Sequence, residues 1–142
     1  MKKIILGIIA VAVIAAGALL LGQADAGSKD SASVTYVDAA EARTLLKDNP
    51  DYVVLDVRTK EEFDAGHIAG AVNVDYKSED FKNQLTRLDT SKTYVVHCEA
   101  GGRSSRSLTT LKELGFDNLV HMDGGMRGWR ALDDKGPKNT ED

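Results

Sequence analysis

The segment Tyr52-Val-Val-Leu-Asp-Val57 is apolar or β-branched at almost every position and is only six residues long. A run that short reads as a strand, and continuous apolarity means burial on both faces. Similar runs follow at Ala71–Val74, Thr93–His97 and Asn118–Met122. Between them lie segments with helical spacing. Asp38-Ala-Ala-Glu41 has the form of a capping box and opens a helix through about Leu46. Thr59-Lys-Glu-Glu62 opens a short helix that ends near Ala65-Gly66. Ser78 to Leu88 sets Phe81, Leu85 and Leu88 on one helical face. Ser104 to Leu114 does the same with Leu108, Leu111 and Leu114, and Gly115 is its stop. Asp123-Gly124-Gly125 turns into a last helix carrying Met126 and Trp129. Strands separated by helices imply a parallel sheet, so the expected class is α/β, a central parallel sheet flanked by helices on both faces. Ligands of such sheets bind beyond the C-terminal ends of the strands.

The folded part is not expected to extend to the N-terminus. Lys2 and Lys3 precede an uncharged stretch from Ile4 to Leu21, and Ala24-Asp25-Ala26 is a small-x-small site. Residues 1–26 therefore read as a signal peptide, or, uncleaved, as an N-terminal membrane anchor through residues 4–21. Either way the domain is expected outside the cytoplasmic membrane, in a bacterial periplasm. Residues 27–33 read as a polar linker, residues 34–132 as one domain, and residues 133–142 as a loose tail. A monomer is expected.

Composition removes several functions. One cysteine permits neither an internal disulfide nor a zinc site built on several thiolates. A net charge of −4, with three Phe, four Tyr and one Trp, argues against nucleic acid as a partner.

That single cysteine stands where a ligand is expected. Cys98 ends a strand, and Glu99-Ala100-Gly101-Gly102-Arg103 connects it to the helix from about Ser104. Two adjacent glycines let such a loop curl with its N–H groups inward, and the helix adds its own free N–H groups and dipole. A thiol at that centre is biased toward thiolate, the nucleophilic form. The same donors suit a persulfide or the oxyanions of an attacked substrate.

Cys98-Glu-Ala-Gly-Gly-Arg-Ser104 resembles the Cys-x-x-Gly-x-Arg-Ser loop of the rhodanese-like family. Leu55-Asp-Val-Arg58, Glu61-Glu-Phe63, Gly66-His-Ile68 and Gly70-Ala-Val-Asn73 are similar to its upstream motifs, and Gly124-Gly-Met126 with Trp129 to its closing segment. The resemblance runs from about Val34 to Leu132 and points to the single-domain exported sulfurtransferases. It implies a rhodanese-like fold and a ping-pong transfer of sulfur from thiosulfate or a related small anionic donor to cyanide or a thiol. It implies Cys98 as nucleophile and Glu99, Ala100, Gly101, Gly102, Arg103 and Ser104 as the cradle, with Arg103 attracting the donor. No metal and no organic cofactor is implied.

Glu99 places a negative charge beside the nucleophile, where it should repel thiosulfate and oppose thiolate formation, with Arg103 and Arg106 as possible offsets. Ala69 stands where the family commonly has proline. Asp56 and Arg58 read as a structural brace, His67 as a packed turn residue, His121 as a strand-end residue and Trp129 as core. His97 should point away from Cys98, because successive strand residues alternate. A non-catalytic rhodanese-like binding or regulatory module remains an alternative. A cysteine phosphatase is disfavoured because Arg103 comes one position early, and a thiol–disulfide oxidoreductase because no second cysteine is present.

Overall fold

In the computed structural model, which describes residues 32–134, five strands form one sheet in the order β1-β5-β4-β2-β3. The strands are β1 (Val34–Val37), β2 (Val53–Asp56), β3 (Val72–Asn73), β4 (Tyr94–His97) and β5 (Leu119–Met122). All four ladders are parallel. The helices are α1 (Ala39–Asp48), α2 (Lys60–Asp64), α3 (Phe81–Leu85), α4 (Gly102–Glu113) and α5 (Gly125–Asp133).

Strand parity divides the core in two. Leu55, Val96 and Leu119 pack with Phe81 and Leu85 of α3 and Leu108 and Leu111 of α4. Their chain neighbours Val54, Val95 and Val120 pack with Ala39 and Ala42 of α1 and Met126 of α5. The sheet is thus covered on both faces, and the expected class holds.

Local chemistry fixes the helix ends. Asp38 and Glu41 close a reciprocal capping box on α1, and Thr59 and Glu62 do so on α2. The helix read over Ser78–Leu88 is shorter, because α3 spans Phe81–Leu85 with turns on either side. Conversely α4 begins at Gly102, two residues before the expected start. β1 has no counterpart in the sequence reading. It is an edge strand with Thr35 and Tyr36 exposed, so it lacks the doubly buried signature of the others. Trp129 is only half-buried, packed at the margin of the second cluster beneath the Arg43 guanidinium, 4.6 Å from its ring centre.

Among the described residues no helix is long and apolar enough to cross a membrane. The signal or anchor segment, residues 1–26, lies outside the described residues, as do most of the linker and residues 135–142 of the tail.

Candidate active site

β4 is the middle strand of the five, and Cys98 is the first residue beyond it. Tyr94, Val96 and Cys98 share the face covered by α4, so the thiol points beneath the N-terminus of that helix. Cys98 is 1% exposed. Its Sγ accepts the Gly101 N–H at 3.1 Å and lies 3.4 Å from the Ser104 Oγ. Burial is the largest influence on the thiol and pushes it up. The Ser104 hydroxyl, with the backbone N–H groups of Ser104, Gly101 and Ala100, outweighs burial and leaves Cys98 below the ordinary thiol range. Gly101 makes the curl possible by adopting φ 108°, in the left-handed region that residues with a Cβ avoid.

The loop is also held from behind. The first turn of α5 sends the Met126 N–H to the Cys98 carbonyl at 2.8 Å and the Arg127 N–H to the Glu99 carbonyl at 3.0 Å. Gly125 permits this approach, because a Cβ there would stand 2.3 Å from the Cys98 carbonyl oxygen. Gly125 is therefore part of the site.

Around this cradle the charges are matched. Arg103, expected to draw in an anionic donor, forks onto Glu62, at 2.6 and 2.8 Å. That pairing lowers the Glu62 carboxyl from its ordinary 4.5 to about 2. Glu99 is held by the Arg130 guanidinium and lies 3.6 Å from Arg58 Nη1. Arg130, rather than Arg103 or Arg106, therefore neutralises it. Arg58 and Asp56 form the expected brace, at 2.7 Å with both side chains buried. Arg58 also donates to the Gly66 carbonyl at 2.7 Å, tying β2 to the turn after α2. Arg58, Glu62, Ala65, Gly66, Glu99, Met126 and Arg130 line an open depression of about 300 Å³ beside the loop.

The histidines separate as their strands dictate. His97 points away from Cys98 Sγ, and its Nδ1–H donates to the Cys98 carbonyl at 2.9 Å. Burial, the dominant influence, holds it below the ordinary histidine range against the opposing pull of Asp56. His67 is exposed and stacks flat on Phe63, ring centres 3.7 Å apart. His121, read as a strand-end residue, belongs to the site. β5 places it on the face of Cys98, with Nε2 2.8 Å from Ser104 Oγ and Nδ1 2.8 Å from Asp123 Oδ1. The same alternation that turned His97 away would have turned His121 inward, since Leu119, two residues earlier, is core on that face.

A parallel sheet that ends its central strand in a buried thiol cradled by backbone donors defines a class, and the comparisons agree with it. Residues 38–132 match the rhodanese-like domain model, and the chain belongs to that family. Thiosulfate sulfurtransferase 18 of Arabidopsis thaliana is 32% identical over 134 residues, covering 86% of this chain and 96% of that protein. The tRNA uridine(34) hydroxylase of Listeria monocytogenes is 36% identical over 100 residues, which cover 65% of this chain and 30% of that protein. The crystal structure of a rhodanese-related protein from Thermoplasma volcanium superposes with a TM-score of 0.61 at 30% identity, covering 69% of this chain and 92% of that one.

Proposed function

We propose that this protein is a sulfurtransferase that carries sulfane sulfur as a persulfide on Cys98. The observation behind this reading is the lone thiol at the C-terminal end of the central strand, held below the ordinary thiol range with the Gly101 N–H donating to its sulfur and the Ser104 hydroxyl 3.4 Å away. The thiolate attacks the outer sulfur of thiosulfate. The S–S bond of the donor breaks, sulfite leaves with the bonding pair, and Cys98 keeps the sulfur. Cyanide or a thiolate then attacks the terminal sulfur and regenerates the Cys98 thiolate. Splitting one transfer into two displacements is covalent catalysis: the donors of the loop favour the Cys98 thiolate as the nucleophile available for the first and as the leaving group of the second. Residues 1–26 support placing this reaction outside the cytoplasmic membrane.

Intact mass of the full chain tests the reading. Thiosulfate should add one sulfur, about 32 Da, which cyanide removes and Cys98→Ser abolishes. No mass change with Cys98 reduced would remove thiosulfate as donor. No change with a low-molecular-weight persulfide either would leave the chain a binding module of the same fold.

A further inference from the structure

The Ser104 hydroxyl has one proton and three acceptors. His121 Nε2 is 2.8 Å away, the Gly101 carbonyl 3.1 Å and Cys98 Sγ 3.4 Å. The Asp123 carboxylate only accepts, so His121 Nδ1, 2.8 Å from it, carries a proton. In neutral His121 the Nε2 is then a lone pair, and the Ser104 O–H points at it. The Cys98 sulfur therefore loses its hydroxyl donor whenever His121 is neutral. When His121 is charged the order reverses. Nε2–H donates to Ser104 Oγ, and the Ser104 proton is released toward the sulfur, where an anion makes the stronger acceptor.

We propose that Asp123, His121 and Ser104 form a proton relay that takes the proton of Cys98. The Cys98 S–H proton passes to Ser104 Oγ as the Ser104 proton passes to His121 Nε2. The products are a thiolate that accepts from Ser104 and an imidazolium held between Ser104 and Asp123. No electron changes hands, and no external base is required in a site where Cys98 and His121 are 1% and 2% exposed. The side chains lie on three elements brought together by the fold: the end of β4, the first turn of α4 and the end of β5. The His121 ring also meets Tyr36 of β1, edge-on at 5.5 Å, and a Cβ at Gly101 would lie 3.9 Å from its Cε1. The relay rests on the sulfur-transfer reading for its purpose, because it supplies the thiolate that the first displacement uses.

The test is the rate of Cys98 alkylation by iodoacetamide against pH, on the full chain, which needs no sulfur donor. His121→Gln keeps a hydrogen-bonding amide near Ser104 but cannot take up a proton. It should move the midpoint of the profile up by about one pH unit and lower the rate at pH 7 by about tenfold, with the high-pH plateau unchanged. Asp123→Asn, at an exposed position, should move the midpoint the same way by less. A purely structural role for His121 would lower stability without moving the midpoint. An unmoved midpoint in folded His121→Gln overturns the relay. If that variant does not fold, an unmoved midpoint in Asp123→Asn does so. Failure of the sulfur-transfer reading is seen separately, as a wild-type chain that never gains sulfur while its alkylation profile still depends on His121.

Discussion

Gly124 and Gly125 are adjacent, both have positive φ, and an alanine at each should have different consequences. At Gly124, φ 75°, a Cβ would meet nothing within 4 Å. The penalty there is conformational alone, about 1–2 kcal/mol for an L side chain in the left-handed region. At Gly125, φ 56°, the same penalty applies, and the Cβ also falls 2.3 Å from the Cys98 oxygen and 2.8 Å from the Glu99 carbonyl carbon and oxygen. Ordinary carbon–oxygen contacts begin at about 3.3 Å, so the two chains must separate by roughly 1 Å. What they separate across is the pair of hydrogen bonds from Met126 and Arg127 to the Cys98 and Glu99 carbonyls, at 2.8 and 3.0 Å. Each contributes about 0.5–1.5 kcal/mol net. Gly125→Ala should therefore be less stable than Gly124→Ala by about 1–3 kcal/mol.

Urea unfolding of the two variants measures that difference directly, provided the slopes agree. Activity should separate them further. The carbonyls displaced belong to the nucleophile and its neighbour, and a shift of about 1 Å in a reacting group lowers rates by up to about 100-fold. Sulfur loading of Cys98 should fall at least about tenfold in Gly125→Ala and change by less than about threefold in Gly124→Ala. Equal losses of stability and of loading in both variants would refute the claim that contact with the active loop, rather than backbone conformation, requires glycine at 125.

Three further outcomes follow from the ion pairs. Asp56→Ala leaves the 2% exposed Arg58 without its carboxylate and should destabilise the domain by about 3–5 kcal/mol, read from thermal or urea unfolding. Glu62 has its carboxyl held at about 2 by Arg103, below its ordinary 4.5, so its contribution to stability is full above pH 4.5 and is lost as pH falls toward 2. Glu62→Gln should therefore flatten the acid limb of a stability–pH curve in that window and leave the neutral limb parallel to wild type. Glu99→Gln releases Arg130 and removes the carboxylate beside the nucleophile, and should lower the KM for thiosulfate a few-fold at low ionic strength, with the gain shrinking as salt is added. An unchanged KM at low salt would show that Glu99 does not oppose the donor.

Much of this was legible because the signals are local. Val53–Asp56 and Tyr94–His97 are buried on both faces, which shows as uninterrupted apolar runs, and the caps at Asp38 and Thr59 are reciprocal within four residues. β1 was not legible, because an exposed edge strand is defined by its partner β5 and not by its own pattern. The reactive loop was legible as Cys98 with Gly101 and Gly102, since glycine and thiol chemistry act at short range. The partners of the arginines were not. Arg103 and Glu62 are 41 residues apart, and Arg130 and Glu99 are 31 apart, so each pairing exists only once α2 and α5 are packed beside the loop. His121 was hidden differently. Its inward face follows from alternation along β5, but its neighbour Ser104 follows from β5 lying beside β4, which only the sheet order supplies.

The matched charges change how the site recognises an anion. Arg58 is committed to Asp56, Arg103 to Glu62 and Arg130 to Glu99, so none of these three brings an uncompensated positive charge to the sulfur. The groups beside Sγ are instead the Gly101 N–H and the Ser104 hydroxyl, dipoles that act over a few ångströms and are shielded from salt by burial. Such a site stabilises a sulfur anion once formed and does little to gather anions from solution. In the proposed transfer that arrangement favours the Cys98 thiolate, nucleophile of the first half-reaction and leaving group of the second, over capture of any one donor.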